Sequence, residues 1–322
     1  MGIGKRINNT NKDVPITQSV HNETMTESKV KKEVVFVPEI PKYTLEDLIL
    51  PRNVYEKILD IADYAHNSKV VFEDWGLKST HKYSRGMGIN LYGPPGTGKT
   101  MAAHAIANYL GRKILVVNYA DIESKYVGET PKNIRKAFEA AKETHSILFF
   151  DEADAILSRR VTNMLNATDV SVNQTRSVML MIMNEYQDFI IFATNFIENF
   201  DPAFMRRIAI HVKFDLPDYE CRKRLWKMYI PKEMPNDFDV EMIAQKYAGI
   251  SGSDISTAVL MAAFKAARQK DTVVREKYVE EMIQGILESK KANNKNQQHP
   301  INVTTREVSE EYVKKQLEGD LK

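Results

Sequence analysis

One cysteine, Cys221, and two tryptophans are all that 322 residues hold of either type. A lone cysteine forms no internal disulfide and no thiolate-rich zinc site, which excludes the small secreted scaffolds. No apolar run approaches the roughly 18 residues that cross a bilayer, and the N-terminus lacks the apolar stretch of a signal peptide. Met1-Gly2 is followed by Arg6 where a myristoylation signal needs Ser or Thr. Charge of one sign is missing as well: 45 Lys and Arg against 43 Asp and Glu leave +2. A global basic field that would draw nucleic acid or a membrane surface is therefore absent. These absences leave a reduced, cytoplasmic protein with no membrane anchor, for which nucleic acid is not the expected partner. With 43% apolar residues and about two domains' worth of chain at roughly 150 residues each, it can bury a good core.

The first 43 residues are polar and mixed in charge, with only short apolar pieces such as Val34–Val37. That composition buries too little to offset ordering entropy and predicts a disordered tail. Thr44-Leu45-Glu46-Asp47 reads as a helix start, followed by Val54, Ile58 and Ile61 at helical spacing. From Gly88 the pattern changes. Ile89–Tyr92, Ile114–Asn118, Ile147–Phe150 and Ile190–Thr194 are strand-like, and Met101–Leu110, Pro131–Lys142 and Val172–Glu185 between them carry helical spacing. Such alternation predicts an α/β fold, a parallel sheet covered by helices on both faces. Phe214–Asp218 closes this region. Tyr219–Tyr229, Val240–Tyr247, Ser251–Gln269 and Glu276–Lys290 are helical only and predict a small all-helical lid. Lys291–His299 reads as a polar spacer before a last amphipathic helix, Thr304–Leu317. The expected divisions are a tail over 1–43, a nucleotide-binding domain over 44–218, a lid over 219–290, and a linker with a C-terminal helix over 291–322. Met179, Met181 and Met183 lie in an apolar stretch and read as core filler.

The strongest motif is Gly93-Pro94-Pro95-Gly96-Thr97-Gly98-Lys99-Thr100, with Met101 opening the next helix. It satisfies G-x-x-x-x-G-K-[ST] and stands between a predicted strand and a predicted helix, as a phosphate loop must. Its glycines let backbone N–H groups turn toward phosphate oxygens. Lys99 reaches the β and γ phosphates, and Thr100 offers a hydroxyl to Mg²⁺. A Gly-rich turn without a ligand is the bland alternative, and the strand–loop–helix context argues against it. The second motif is the apolar strand Ile147–Phe150 ending in Asp151-Glu152. A buried strand that delivers acids at its C-terminal edge puts them where α/β sheets bind ligands. Asp151 suits a Mg²⁺ ligand, and Glu152 suits the base that polarises the attacking water. Acidic residues also favour first turns of helices, but their pairing with the phosphate loop favours the catalytic reading.

Together the phosphate loop, Phe149-Phe150-Asp151-Glu152-Ala153-Asp154, Ala193-Thr194-Asn195, Asp201–Arg207 and Gly249–Asp254 resemble the AAA-type ATPases of the AAA+ superfamily. The resemblance runs from about Tyr43 to Leu287 and is narrowest toward single-ring bacterial members with one ATPase module. It implies a P-loop NTPase fold with a helical lid, ATP and Mg²⁺ as cofactors, and a homo-oligomeric ring, usually a hexamer. Asn195 matches the sensor that hydrogen-bonds the γ-phosphate or the attacking water. Arg206 and Arg207 match the arginine fingers that complete a neighbour's site and stabilise charge on the transferring phosphoryl group. Gly252 and Ser253 match lid residues near the nucleotide, and a plain helix N-cap at Ser251, Ser253 or Asp254 is compatible with that. Lys125-Tyr126-Val127-Gly128 matches the pore loop whose aromatic ring grips polypeptide in the ring's channel; a weaker match for a second pore loop follows Ser158, with Arg159, Arg160 and Met164.

Two functions remain open at this stage. In one, the ring remodels, unfolds or extracts protein substrates through its pore. In the other, it is an ATP-dependent switch or assembly factor that threads nothing. The sequence does not name the substrate or partner complex.

Overall fold

The computed structural model describes residues 34–80, 87–123, 129–158, 167–197 and 200–298. A 3₁₀ turn, Leu45–Asp47, precedes helix α1 (Arg52–Lys69). Thr44 begins that turn, its backbone N–H and hydroxyl both donating to Asp47 Oδ2 at 2.8 and 3.1 Å. Pro51 stands just ahead of α1, where its missing N–H costs no intrahelical bond. Val54, Ile58 and Ile61 form the helix's buried face.

Five strands follow: β1 (Met87–Tyr92), β2 (Ile114–Asn118), β3 (Ile147–Asp151), β4 (Phe189–Thr194) and β5 (Ile208–Lys213). They form one parallel sheet in the order β2-β3-β4-β1-β5. β5 is absent from the sequence expectation. Its apolar Ile208, Ile210 and Val212 alternate with Ala209, His211 and Lys213, the mark of an edge strand that is wet on one side. Between the strands run α2 (Lys99–Tyr109), α3 (Tyr119–Ile122), α4 (Glu129–Glu143), α5 (Asp154–Leu157), α6 (Ala167–Glu185) and α7 (Pro202–Met205).

The two-residue period of the strands divides the core into two layers. Ile147 and Phe149 of β3 pack with Ala102 and Ile106 of α2 and with Ile58 and Ile61 of α1. Leu148 and Phe150 point the other way, onto Ile134, Ala137 and Phe138 of α4 and Met179 and Met183 of α6. Met179 and Met183, one turn apart, are buried, whereas Met181 is 45% exposed. The expectation of a third core methionine is thus corrected: two residues along a helix is more than half a turn, which carries Met181 to the outer face.

After β5 the chain is helical: α8 (Tyr219–Tyr229), α9 (Val240–Lys246), α10 (Gly252–Gln269) and α11 (Glu276–Gln298). These helices enclose their own core around Trp226, which is fully buried among residues that include Ile243, Ile255, Val259 and Val279. Helix α11 continues to Gln298, through most of the stretch expected to be a polar spacer. Polar composition alone does not stop a helix, and Lys291–Gln298 holds neither Gly nor Pro. At the other end, the described chain runs along the sheet before Thr44. Glu39 N–H donates to Ile114 O at 2.8 Å, and Ile114 N–H returns a bond to Glu39 O at 3.0 Å. The free backbone edge of β2 supplies this partner.

Candidate active site

The register sets the site. Tyr92 pairs with Thr194 and Phe150 with Phe192, so β1, β3 and β4 end nearly level. Gly93, Asp151 and Asn195 consequently emerge together at the carboxyl edge of a parallel sheet, where such folds bind ligands. The turn out of β1 demands glycine. Gly93 has φ +144°, and a Cβ there would stand 2.0 Å from Phe214 O. Gly98, with φ +98°, then leads into the N-terminus of α2.

Lys99 is held at the centre of this turn. Its ammonium donates to Gly93 O at 2.8 Å, to Pro94 O at 3.0 Å and to Asn195 Oδ1 at 3.0 Å. Burial pushes its pKa below the ordinary lysine value, while Asp151 and Asp154 oppose that shift. The loop is braced internally as well: Thr97 Oγ1 donates to Pro94 O at 2.8 Å.

The acids stand opposite. Thr100 Oγ1 donates to Asp151 Oδ2 at 2.9 Å, and Glu152 N–H donates to Asp151 Oδ1 at 2.9 Å. Glu152 has φ +50°, a left-handed conformation that costs a residue with a side chain about 1–3 kcal/mol and clusters at functional sites. Asp154 turns back toward β4. It accepts Asn195 N–H at Oδ1 and Oδ2, 3.2 and 3.1 Å, and Phe196 N–H at Oδ1, 3.1 Å.

A cavity of about 440 Å³ opens above these groups. Pro95, Gly96, Thr97, Gly98, Lys99, Thr100 and Met101 form its floor, with Asp151, Glu152 and Asn195 at one end. Gly93 and Pro94, expected among the nucleotide-binding residues, do not line the cavity; their carbonyl oxygens accept from Lys99. Leu48, Ile49 and Leu50 line one wall, and the helical part closes the other with Leu225, Met228 and Tyr229 of α8 and Gly252, Ser253 and Ser256 of α10. Ser253 N–H donates to Gly96 O at 3.3 Å, joining that wall to the phosphate loop. Apolar walls over a floor of backbone donors suit a base at one end and phosphates at the other. For Mg²⁺ the fit is through oxygen alone: Thr100 Oγ1 and Asp151 Oδ2 are neighbouring hard donors. No cluster of three or more His, Cys, Asp or Glu able to hold a metal occurs among the described residues.

Arg206 and Arg207 stand apart from this cavity. Both are exposed, and they differ in anchoring. Arg207 Nε donates to Asn184 Oδ1 at 2.7 Å and Nη1 to Ala203 O at 2.8 Å. Arg206 makes no side-chain bond among the described residues. Lys125, Tyr126, Val127 and Gly128 lie outside the described residues, as do Arg159, Arg160 and Met164. Sequence reading passed over Tyr229, Met228, Ser256 and Asn184, since helix-surface residues carry no motif. Asp154 stood in a quoted motif without a role, though an acid three places after Asp151 could have been placed at the same sheet edge.

Residues 89–216 match the family model described as the ATPase family associated with various cellular activities (AAA). The chain belongs to the AAA ATPases. It is 30% identical over 246 residues to the proteasome-activating nucleotidase of Methanopyrus kandleri, covering 74% of this chain and 55% of that one. Over 279 residues it is 29% identical to a 26S proteasome regulatory subunit 8 homolog of Encephalitozoon cuniculi, covering 83% and 69%. Over 246 residues it is 30% identical to the ATP-dependent zinc metalloprotease FtsH of Lachnoclostridium phytofermentans, covering 72% and 42%. The chain thus spans about half the length of the first and less of the last. Membership of this family implies a nucleotide-binding site. The matched segment carries Lys99, Thr100, Asp151, Glu152, Asn195 and both arginines, while the α8 and α10 wall of the cavity lies beyond it.

Proposed function

We propose that this AAA ATPase works in the cytoplasm as a homo-oligomeric ring, a hexamer, that uses Mg-ATP to remodel, unfold or extract protein substrates through its pore. The observation that carries the reading is the single cavity in which Lys99, Thr100, Asp151, Glu152 and Asn195 converge from three strand ends. Lys99 is the β/γ-phosphate cation, and Thr100 with Asp151 is the pair that would hold Mg²⁺, which would supply charge neutralisation to the triphosphate. Glu152 takes a proton from the water whose oxygen attacks the γ-phosphorus as the bridging β–γ oxygen bond breaks. Asn195 orients that water or the γ-phosphate without adding charge. Arg206 and Arg207 serve the neighbouring protomer's site. The Ser253–Gly96 bond gives the helical part a path by which hydrolysis moves it against the phosphate loop.

A remodelling role is supported by the relatives named for the proteasome and by the Lys125–Gly128 motif. No helix among the described residues is long and apolar enough to cross a membrane, and no His-Glu-x-x-His run stands in the sequence to make the chain a zinc protease on its own. Replacing Glu152 by Gln tests the catalytic reading: ATP binding stays intact and turnover falls at least about a hundredfold. The same protein, held with ATP, retains its substrate in a pull-down. Tyr126→Ala separates the two modes of action. A threading ring loses substrate processing and keeps basal hydrolysis, whereas an assembly switch is indifferent.

A further inference from the structure

We infer that Asp154 is a positioning residue for ATP hydrolysis, acting through Asn195. Three backbone-to-carboxylate bonds of 3.1–3.2 Å tie the Asn195–Phe196 turn to one side chain. Two adjacent N–H groups at the end of β4 have no strand partner there, and a carboxylate with two acceptor oxygens satisfies both at once. The turn is fixed from a second side: Ala153 N–H donates to Ala193 O at 3.0 Å. With its backbone clamped, Asn195 presents its amide oxygen to Lys99 Nζ at 3.0 Å. A continuous chain of contacts therefore runs from the end of β3 through Asp154 and the Asn195 turn to the phosphate-loop lysine. Asp154 also favours the charged form of buried Lys99. It does not line the cavity, so it acts on the reaction through what it holds.

The reason for a carboxylate at this place is geometric. Asp151 ends β3 and Asp154 opens α5 three residues on, and the two divide the labour: Asp151 accepts from Thr100 of α2, and Asp154 reaches across to the turn after β4. Removing the second reach frees the turn to rotate, which moves Asn195 off the line of attack. A misplacement of about 1 Å can cost on the order of a hundredfold in rate without weakening ground-state binding.

The inference rests on Asn195 having its assigned role, and the experiment keeps the two separable. Turnover and ATP affinity are measured in the full chain for Asp154→Ala, Asp154→Asn, Asn195→Ala and the double variant Asp154→Ala/Asn195→Ala, with melting temperature as the folding control. The expected result is that Asp154→Ala lowers kcat at least about tenfold with KM within about threefold, that Asn, which keeps one acceptor oxygen, restores part of the loss, and that the double variant is no slower than Asn195→Ala alone. Losses that multiply in the double variant, or an Asp154→Ala enzyme with normal kcat, overturn the inference while leaving Asn195 in place. An Asn195→Ala enzyme with normal kcat overturns both. Should Asp154→Ala fail to fold, Asp154→Asn in the Asn195→Ala background decides by the same criterion.

Discussion

Thr100 and Asp151, 51 residues apart in sequence, share one hydrogen bond of 2.9 Å at the mouth of the cavity. The bond ties the first turn of α2 to the end of β3, and both of its oxygens are of the kind a magnesium ion prefers. Thr100 and Asp151 would together hold the ion, and the hydroxyl would then serve as a ligand rather than as a donor to Asp151. Thr100→Val keeps the shape and deletes the oxygen. Its expected effect is a rise of at least about tenfold in the Mg²⁺ concentration giving half-maximal turnover, with Thr100→Ser close to the parent protein. A Mg²⁺ titration of ATP hydrolysis at saturating nucleotide makes the comparison.

Gly96 is the point at which the phosphate loop touches the helical part. Its φ is +74°, and a Cβ would stand 2.7 Å from both Ser251 Oγ and Ser253 Cβ. Gly96→Ala therefore carries two burdens, a left-handed alanine and a collision with the start of α10. Relief comes by moving that start away from the loop, which also breaks the Ser253–Gly96 bond. We expect nucleotide affinity to fall at least about tenfold, as read by titration with a fluorescent ADP, with a smaller loss of melting temperature. Unchanged affinity would mean that the α10 wall contributes nothing to nucleotide binding.

Much of this arrangement was legible in the sequence because single motifs carry it. Gly93–Thr100 fixes its own turn, and a four-residue apolar strand ending in Asp151-Glu152 can lie in few places. The helical region after Asp218 was legible for a similar reason, since short apolar runs stop there and only helical spacing continues. What escaped were features made by pairing across the chain. Strand β5 has too few apolar residues to announce itself, and it becomes a strand because β1 offers an open edge. The bridge between Glu39 and Ile114 likewise depends on a neighbour 75 positions away that no local pattern names. Met181 is a plain error of phase, corrected as soon as the axis of α6 is known. Asn184 and Tyr229 could not be read at all, because their partners lie on other elements.

His104 offers a pH-dependent handle on the segment before Thr44. The side chain is buried on α2, accepts Lys42 N–H at Nδ1 over 3.3 Å, and meets the Tyr43 ring edge-on at 5.9 Å. Burial, aided by Lys42, places its pKa below the ordinary histidine value, against the opposing pull of Glu39 and Asp151. The neutral form is thus the one the folded state favours. Its contribution is complete above the unfolded value of about 6.5 and is lost as pH falls through the lower folded value. Amide exchange, corrected for its intrinsic pH dependence, should become less protected in residues 39–43 as pH drops from 7.5 toward 5. Protection in α10 should hold. His104→Gln, which cannot titrate, should flatten the response; a slope that survives the substitution would assign it to another group.

Arg206 and Arg207 are adjacent in sequence and unequal in structure. Arg207 is fastened to Asn184 of α6 and to the carbonyl of Ala203, so much of its hydrogen-bonding capacity is spent inside its own subunit. Arg206 is exposed and makes no such bond among the described residues, which leaves its planar set of donors open to a partner's phosphate. Arg206→Ala should therefore cut turnover at least about a thousandfold with nucleotide binding retained, the scale expected when a guanidinium acting in trans is removed. Arg207→Ala should cost less turnover and more thermal stability. The decisive measurement mixes two dead proteins. Arg206→Ala subunits keep Glu152, and Glu152→Gln subunits keep Arg206, so a ring assembled from both contains junctions with one complete site. Recovery of hydrolysis on mixing is the expected outcome, whereas a mixture as inactive as its parts would put the arginine and the glutamate to work within the same subunit.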